Sequence, residues 1–297
     1  MTNAIKTYLL LAALIALTLF AGEALGGEQG LFIALIMSLF MSFGSYWFSD
    51  SIVLSIYGAR ELSPMEAPEL HSIVEELSQA AGIPKPRVYL IPSSSPNAFA
   101  TGRGPGHAAV AVTRGILQTL SLRELRGVLA HEIAHIANYD VLLSTVVATL
   151  AGSLSMLSRM VFWFGAGLGN YDDRESGSNP LLALIIMIVA PIAALLVQMA
   201  ISRNREFLAD ETGARLSGDP EALASALARI HSGVTAYPMH DVEPATSHMF
   251  IMQPFEGDSI LELFSTHPPV RERINRLHEM ARHASTTRWN QPFGFAL

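Results

Sequence analysis

Four apolar stretches, at 5–22, 31–48, 141–168 and 181–201, constrain this chain more than any other feature. Each approaches the ~20 residues that an α-helix needs to cross a ~30 Å hydrocarbon core. Inside a bilayer the backbone has no water to bond, so such stretches must be helical. Composition agrees. Half of the residues are hydrophobic, only 15% are charged and the mean hydropathy is +0.34, against roughly 25% charged residues in a soluble domain. The expected fold is therefore an α+β integral membrane protein with about four transmembrane helices. The first stretch also fits a signal peptide, with Lys6, an apolar run and small residues near Ala21–Gly26. The second run follows after a short loop, however, and a hairpin of two spans accounts for both. Arg159 would sit about 27 Å along the third span, where its side chain can snorkel to the interface. Pro191 predicts a kink in the fourth.

The spans divide the chain into a transmembrane hairpin at 1–48, a soluble piece at 49–140, a second hairpin at 141–201 and a second soluble piece at 202–297. Lysine and arginine placement orients them. The loop containing Glu23 and Glu28 has no basic residue, and the loop at 170–179 holds Asp172, Asp173 and Glu175 against Arg174 alone. Lys6 and the basic residues of both soluble pieces lie on the other side. That side is expected to be the cytoplasm, with both termini. The net charge of −7 and the acidic pI exclude a nucleic-acid partner. With no cysteine, the chain has no disulfides, no cysteine zinc finger and no cysteine nucleophile.

The chemistry is carried by His131-Glu132-Ile133-Ala134-His135, the H-E-x-x-H pattern. Two histidines four apart share one helix face and can reach one zinc ion, with Glu132 beside them as general base to a metal-bound water. Ser121 and Glu124 form a capping box that opens this helix. Leu122, Leu125, Val128, Leu129, Ile133 and Ile136 give it an apolar face. A catalytic zinc needs a third protein ligand and an open position. Glu206 supplies the ligand, directly after the fourth span. Asp210, one turn on, would accept a hydrogen bond from a ligating histidine and fix its tautomer. Two spans separate His135 from Glu206 and return the chain to the same side, so the ligands can meet.

Around this motif, 64–81 reads as a helix entered through Pro64 and Pro68, and 87–91 as a short strand. Residues 97–101 and 107–113 read as two strands joined by a glycine-rich turn, with Ala109 and Ala111 alternating with Val110 and Val112 as on a half-exposed strand. They form a small sheet edge beside the zinc helix, able to hold an extended substrate by backbone hydrogen bonds. Asp219 and Pro220 start a helix over 221–232. The segment 233–259 has no clear period and reads as a lid or mobile loop, and a last helix covers 269–283. His71, His107, His231, His240, His248, His278 and His283 show no ligand spacing and read as surface or packing residues.

His131-Glu132-x-x-His135, Ser202-Arg203-x-x-Glu206-x-x-Ala209-Asp210, Asn97-Ala98-Phe99-Ala100-Thr101-Gly102 and Thr266-His267-Pro268-Pro269 with Arg273-Ile274 together resemble the HtpX family. These are bacterial membrane zinc metalloproteases related to the CAAX prenyl proteases. The resemblance covers nearly the whole chain. It implies a gluzincin-like, mainly helical protease domain with one catalytic zinc, facing the cytoplasm from the inner membrane and acting in stress response on misfolded or damaged membrane proteins. It implies that His267 donates to the oxyanion of the tetrahedral intermediate, that Arg273 holds that region by pairing with a carboxylate, and that Asn97, Ala98, Phe99 and Ala100 bind substrate. Two other readings stand beside it. One is an intramembrane zinc protease, although the motif precedes the third span rather than lying inside it. The other is a zinc-binding membrane scaffold without hydrolytic activity, which would have no need of Glu132. A transporter is unsupported, because apart from Arg159 the spans carry almost no ionisable residue.

Overall fold

A computed structural model describes residues 3–145, 203–237, 249–252 and 268–286. The described chain is mainly helical with one small mixed sheet. The third and fourth expected spans, beyond residue 145, lie outside the described residues, as do His267 and most of 233–259.

Helix α1 covers Asn3–Ile56, where a two-span hairpin is expected. Its helical run holds one left-handed residue, Gly27, at φ +56°. Gly27 lies between Glu23 and Glu28, in the expected loop, and the helix is continuous through it. Further along α1, Phe32, Ile36, Phe40, Phe43, Trp47 and Ile56 are exposed. Among the described residues no helix is long and apolar enough to cross a membrane, and most side chains of 3–30 lie outside the description.

The sheet consists of β1 (Arg60–Glu61), β2 (Arg87–Ile91), β3 (Ala98–Gly102) and β4 (Ala108–Thr113), in the order β1-β2-β4-β3. β2 pairs parallel with β4, while β3 and β4 form the expected antiparallel hairpin, leaving β3 at one edge. The half-exposed pattern expected of β4 is corrected: every residue of it is buried. The end of α1 covers one face, where Val53, Leu54 and Tyr57 pack with Phe99, Ala109, Ala111 and Phe250. Helices cover the other face, against Ala98, Ala108, Val110 and Val112. Alanine alternates with valine because the two covers leave different depths, not because one side meets water.

Helix α2 (Pro68–Ala80) starts four residues later than its sequence pattern suggests. Proline disfavours the helical region for the residue before it, and Ala67 is accordingly non-helical at φ −142°. A short α3 (Arg114–Thr119) leads into α4 (Leu122–Ala137), the helix of the H-E-x-x-H motif. Further along the chain come α5 (Arg203–Ser217), α6 (Pro220–Ala236) and α7 (Val270–Thr286). α4 is central and nearly all of it is buried from Glu124 onward.

The capping box forms as read. The Ser121 hydroxyl accepts from the Glu124 amide at 3.3 Å and the Ser121 amide donates to the Glu124 carboxylate at 2.9 Å. Glu124 also accepts from Ser225 Oγ at 2.6 Å and Arg229 Nη1 at 2.9 Å, tying the start of α4 to α6. Burial opposes the charge of Glu124, but bonds from Ser225, Ser121 and Arg229 outweigh it and hold the carboxyl at about 2, from an ordinary 4.5. A pKa depressed by folding stabilises the fold above the unfolded value and loses that stabilisation as pH falls through the folded one. Glu124→Gln should therefore cost about 1–2 kcal/mol at neutral pH. In thermal melts of the detergent-solubilised protein, the gap to wild type should narrow as pH falls from 4.5 toward 2.

Candidate metal centre

His131 and His135 project from α4 one turn apart, with ring centroids 4.7 Å apart and planes nearly perpendicular. α5 crosses α4 against this turn and brings Glu206 to both rings. Glu206 Oε1 lies 3.4 Å from His135 Nε2, and Oε2 lies 3.8 Å from His131 Nε2. One donor atom from each of the three residues falls within 4.8 Å of the others. Zinc bound at ~2.0–2.1 Å by a tetrahedral set places its donors roughly 3.3 Å apart. Two imidazole nitrogens and one carboxylate oxygen at these separations fit such an ion.

Each histidine is anchored through its other nitrogen. His131 Nδ1 lies 3.0 Å from Asp210 Oδ1, and His135 Nδ1 lies 3.2 Å from Asp140 Oδ2. An ionised carboxylate only accepts, so each Nδ1 carries a proton, and Nε2, which faces Glu206, is the ring atom left to take a metal when the imidazole is neutral. Burial lowers the pKa of His131. Burial also disfavours the charge on His135, but hydrogen bonds to Asp140 and Glu206 outweigh it and raise that group.

Arg273 reaches in from α7 and is 1% exposed. It grips Asp210 with two bonds, Nε to Oδ2 at 2.8 Å and Nη2 to Oδ1 at 2.7 Å, and donates from Nη1 to the Ile251 carbonyl at 3.1 Å. The guanidinium also lies 3.5 Å from Glu206 Oε2. Burial alone would push the Asp210 carboxyl up, yet Arg273 and His131 bring it below its usual range.

Glu132 is 2% exposed. Burial, opposed by His135 and reinforced by Glu206, raises its carboxyl to about 7, and the backbone amide of Ala100 hydrogen-bonds to it. The outer edge of β3 thus runs beside Glu132. Of the four residues expected to bind substrate, Ala100 adjoins the site directly. The Asn97 side chain is turned to the chain's own 249–252 segment, donating to the Met252 carbonyl at 2.8 Å and accepting from the Met252 amide at 3.3 Å. The Ala98 carbonyl accepts from the Ile251 amide at 3.0 Å. Phe99 packs against Tyr57 and Phe250.

Asp140 is the site residue that sequence reasoning misses. It lies five residues beyond His135, a spacing with no meaning on a helix, so no periodic pattern marks it. The Ile251 carbonyl is missed because a backbone acceptor has no residue signature.

This fold and this site together are those of a metallopeptidase. A model of peptidase family M48 matches residues 64–281. The chain is 54% identical over 280 residues to a protease HtpX homolog of Pyrococcus furiosus, covering 93% of this chain and 96% of that one. It is 51% identical over 285 residues to a protease HtpX homolog of Paraburkholderia phytofirmans, covering 95% and 98%. Among solved structures, the crystal structure of S. mikatae Ste24p shares the fold, with a TM-score of 0.50 and 17% identity. That likeness covers 92% of this chain, which spans 62% of the Ste24p chain. The chain belongs to peptidase family M48 and stands among its HtpX-type members. It is a metalloendopeptidase.

The crossing of α4 and α5 depends on Gly213. A Cβ there would meet the His131 amide nitrogen at 2.7 Å and its Cα at 2.8 Å. Gly213→Ala must push α5, and Glu206 with it, away from the histidines. The expected cost is about 1–3 kcal/mol of stability together with weaker metal binding. Thermal melting of the metal-free protein and zinc competition against a chelator would check the two effects separately.

Proposed function

We propose that this chain is a membrane-bound, zinc-dependent endopeptidase. In this reading it hydrolyses peptide bonds of misfolded or damaged membrane proteins at the cytoplasmic face of the inner membrane. The observation that carries the reading is the meeting of His131, His135 and Glu206 beside a buried Glu132 and a sheet edge. His131, His135 and Glu206 would hold the ion. A zinc ion there would supply Lewis acidity to a water and to the scissile carbonyl.

The chain's own residues do the rest. Glu132 takes a proton from the attacking water and returns it to the leaving amine. A carboxyl near 7 suits both halves of that task, because proton transfer is most efficient when donor and acceptor are matched to the working pH. Asp210 and Arg273 hold His131 in the tautomer that faces the metal. His267 is assigned the oxyanion, as a hydrogen-bond donor. An extended peptide would approach the site past Ala100, beside Glu132, because further along the β3 edge the Ala98 carbonyl and the Gly102 amide are already bonded to the Ile251 amide and the Thr145 hydroxyl.

The setting of α4 favours a cut outside the hydrocarbon. The helix starts beside an exposed Arg123–Asp219 ion pair and is buried among protein elements, with Val128, Leu129 and Ile133 in the core. Lipid contact is assigned to α1, whose exposed aromatic and aliphatic side chains would otherwise face water. The protein should resist extraction from membranes by alkaline carbonate and come out only with detergent. Release by carbonate would remove the membrane assignment.

Zinc-dependent cleavage of casein by detergent-purified protein tests the reaction. Glu132→Gln should keep one zinc per chain and lose about 10²–10⁴-fold in rate. A variant with near wild-type cleavage would refute Glu132 as the base. Full zinc occupancy with no cleavage by wild type, even of unfolded membrane proteins, would favour the scaffold.

A further inference from the structure

Asp140 owes its place to a break in the chain. On an unbroken helix, a residue five beyond His135 would lie about 140° away around the axis. α4 instead ends at Ala137, and Asn138 and Tyr139 form a turn. Tyr139 has φ +59° and is the single non-glycine residue with positive φ among the described residues. That conformation costs an L-residue roughly 1–2 kcal/mol. Helix ends commonly place glycine or asparagine there, but Asn138 stands one residue too early to take it. A new helical segment opens at Asp140, and its carboxylate, buried at 5% exposure, folds back to accept from His135 Nδ1 at 3.2 Å.

Two further contacts fasten this arrangement. Arg205 Nε, on α5, lies 3.7 Å from Asp140 Oδ1. The Thr145 hydroxyl donates to the Val141 carbonyl at 2.6 Å, meets Thr101 Oγ1 at 3.1 Å and accepts from the Gly102 amide at 3.2 Å. The segment carrying Asp140 is thereby tied both to the helix of Glu206 and to the edge strand. Backbone strain persists only where the surrounding structure over-determines it, and these ties do so.

We propose that the Tyr139–Asp140 break is a positioning device for the second histidine of the motif. The left-handed Tyr139 turns Asp140 back beneath His135. The Asp140 carboxylate then keeps the proton on Nδ1 and aims Nε2 at the point where Glu206 and His131 converge. Asp140 is a positioning residue and acts through His135. The inference rests on His131, His135 and Glu206 being the metal ligands, and the test separates failure of that reading from failure of this one.

The experiment uses full-length detergent-purified protein. Zinc affinity is measured by competition with a chromophoric chelator, site geometry by the visible spectrum of the Co²⁺ form, and folding by melting of the metal-free protein. Asp140→Ala should weaken zinc about 10–100-fold and shift the Co²⁺ spectrum. Asp140→Asn still offers an acceptor oxygen in place and should retain most of the affinity. Asp140→Glu keeps the charge but displaces the oxygen, and should bind more weakly than Asp140→Asn. Tyr139→Gly adopts φ +59° freely and should bind zinc as wild type does. Asp140→Ala with wild-type affinity and spectrum would overturn the proposal. So would Asp140→Glu binding as wild type while Asp140→Asn does not, since charge alone would then suffice. These two conservative variants decide the matter if Asp140→Ala fails to fold. His135→Ala is the control: if it binds zinc as tightly as wild type, the ligand assignment itself fails; if it loses zinc while the Asp140 variants do not, the positioning role alone fails.

Discussion

The close crossing of α4 and α5 is the contact on which the rest depends. Gly213 lies against the backbone of His131, at a distance that a side chain could not occupy. That approach lets Glu206, two turns earlier on α5, reach rings carried by another helix. Everything else around the site either supports this crossing or exploits it. α6 and the capped start of α4 brace it from one end through Glu124. α7 braces it from the other through Arg273.

Burying this many ionisable groups is expensive, and the structure meets the expense by pairing them. Arg273, Asp210, His131 and Glu206 form one compact set, in which each charge has an opposite neighbour within hydrogen-bonding or near-contact distance. Breaking such a pair costs about 3–5 kcal/mol, because one charge is left buried and uncompensated. A group of this kind adds little to stability compared with apolar packing. Under the proposed reading its value lies in preorganisation: the imidazoles are already oriented, and an ion would meet donors turned toward it.

The sheet serves the site from the side. β4 is buried on both faces and forms the rigid member of the pair, while β3 lies at the edge with its outward groups near the chemistry. Along that edge the Ala98 carbonyl is taken by Ile251, the Ala100 amide by Glu132 and the Gly102 amide by Thr145. Three separate parts of the chain are thus registered against one strand. Glu132, the segment after α4 and the 249–252 segment are thereby held at fixed positions relative to one another.

Local patterns in the sequence were enough to find what lies within one element. The H-E-x-x-H helix and its capping box, the β3–β4 hairpin, strand β2 and the helix start at Asp219 and Pro220 all follow from periodicity, capping and turn chemistry, which act over a few residues. The pairing of Glu206 with the two histidines was also legible, because the motif demands a third ligand and few acidic residues stand in a suitable place. Other features were decided only by tertiary structure. β4 is buried on both faces because the end of α1, distant in sequence, covers one of them. Asp140 belongs to the site because a left-handed Tyr139 breaks the helix between it and His135, and Asn97 turns to Met252, 155 residues away. Spacing along a chain encodes neighbours within a helix or strand. Which surfaces meet across the fold depends on packing and on the closing of long loops, and no short-range pattern carries that information.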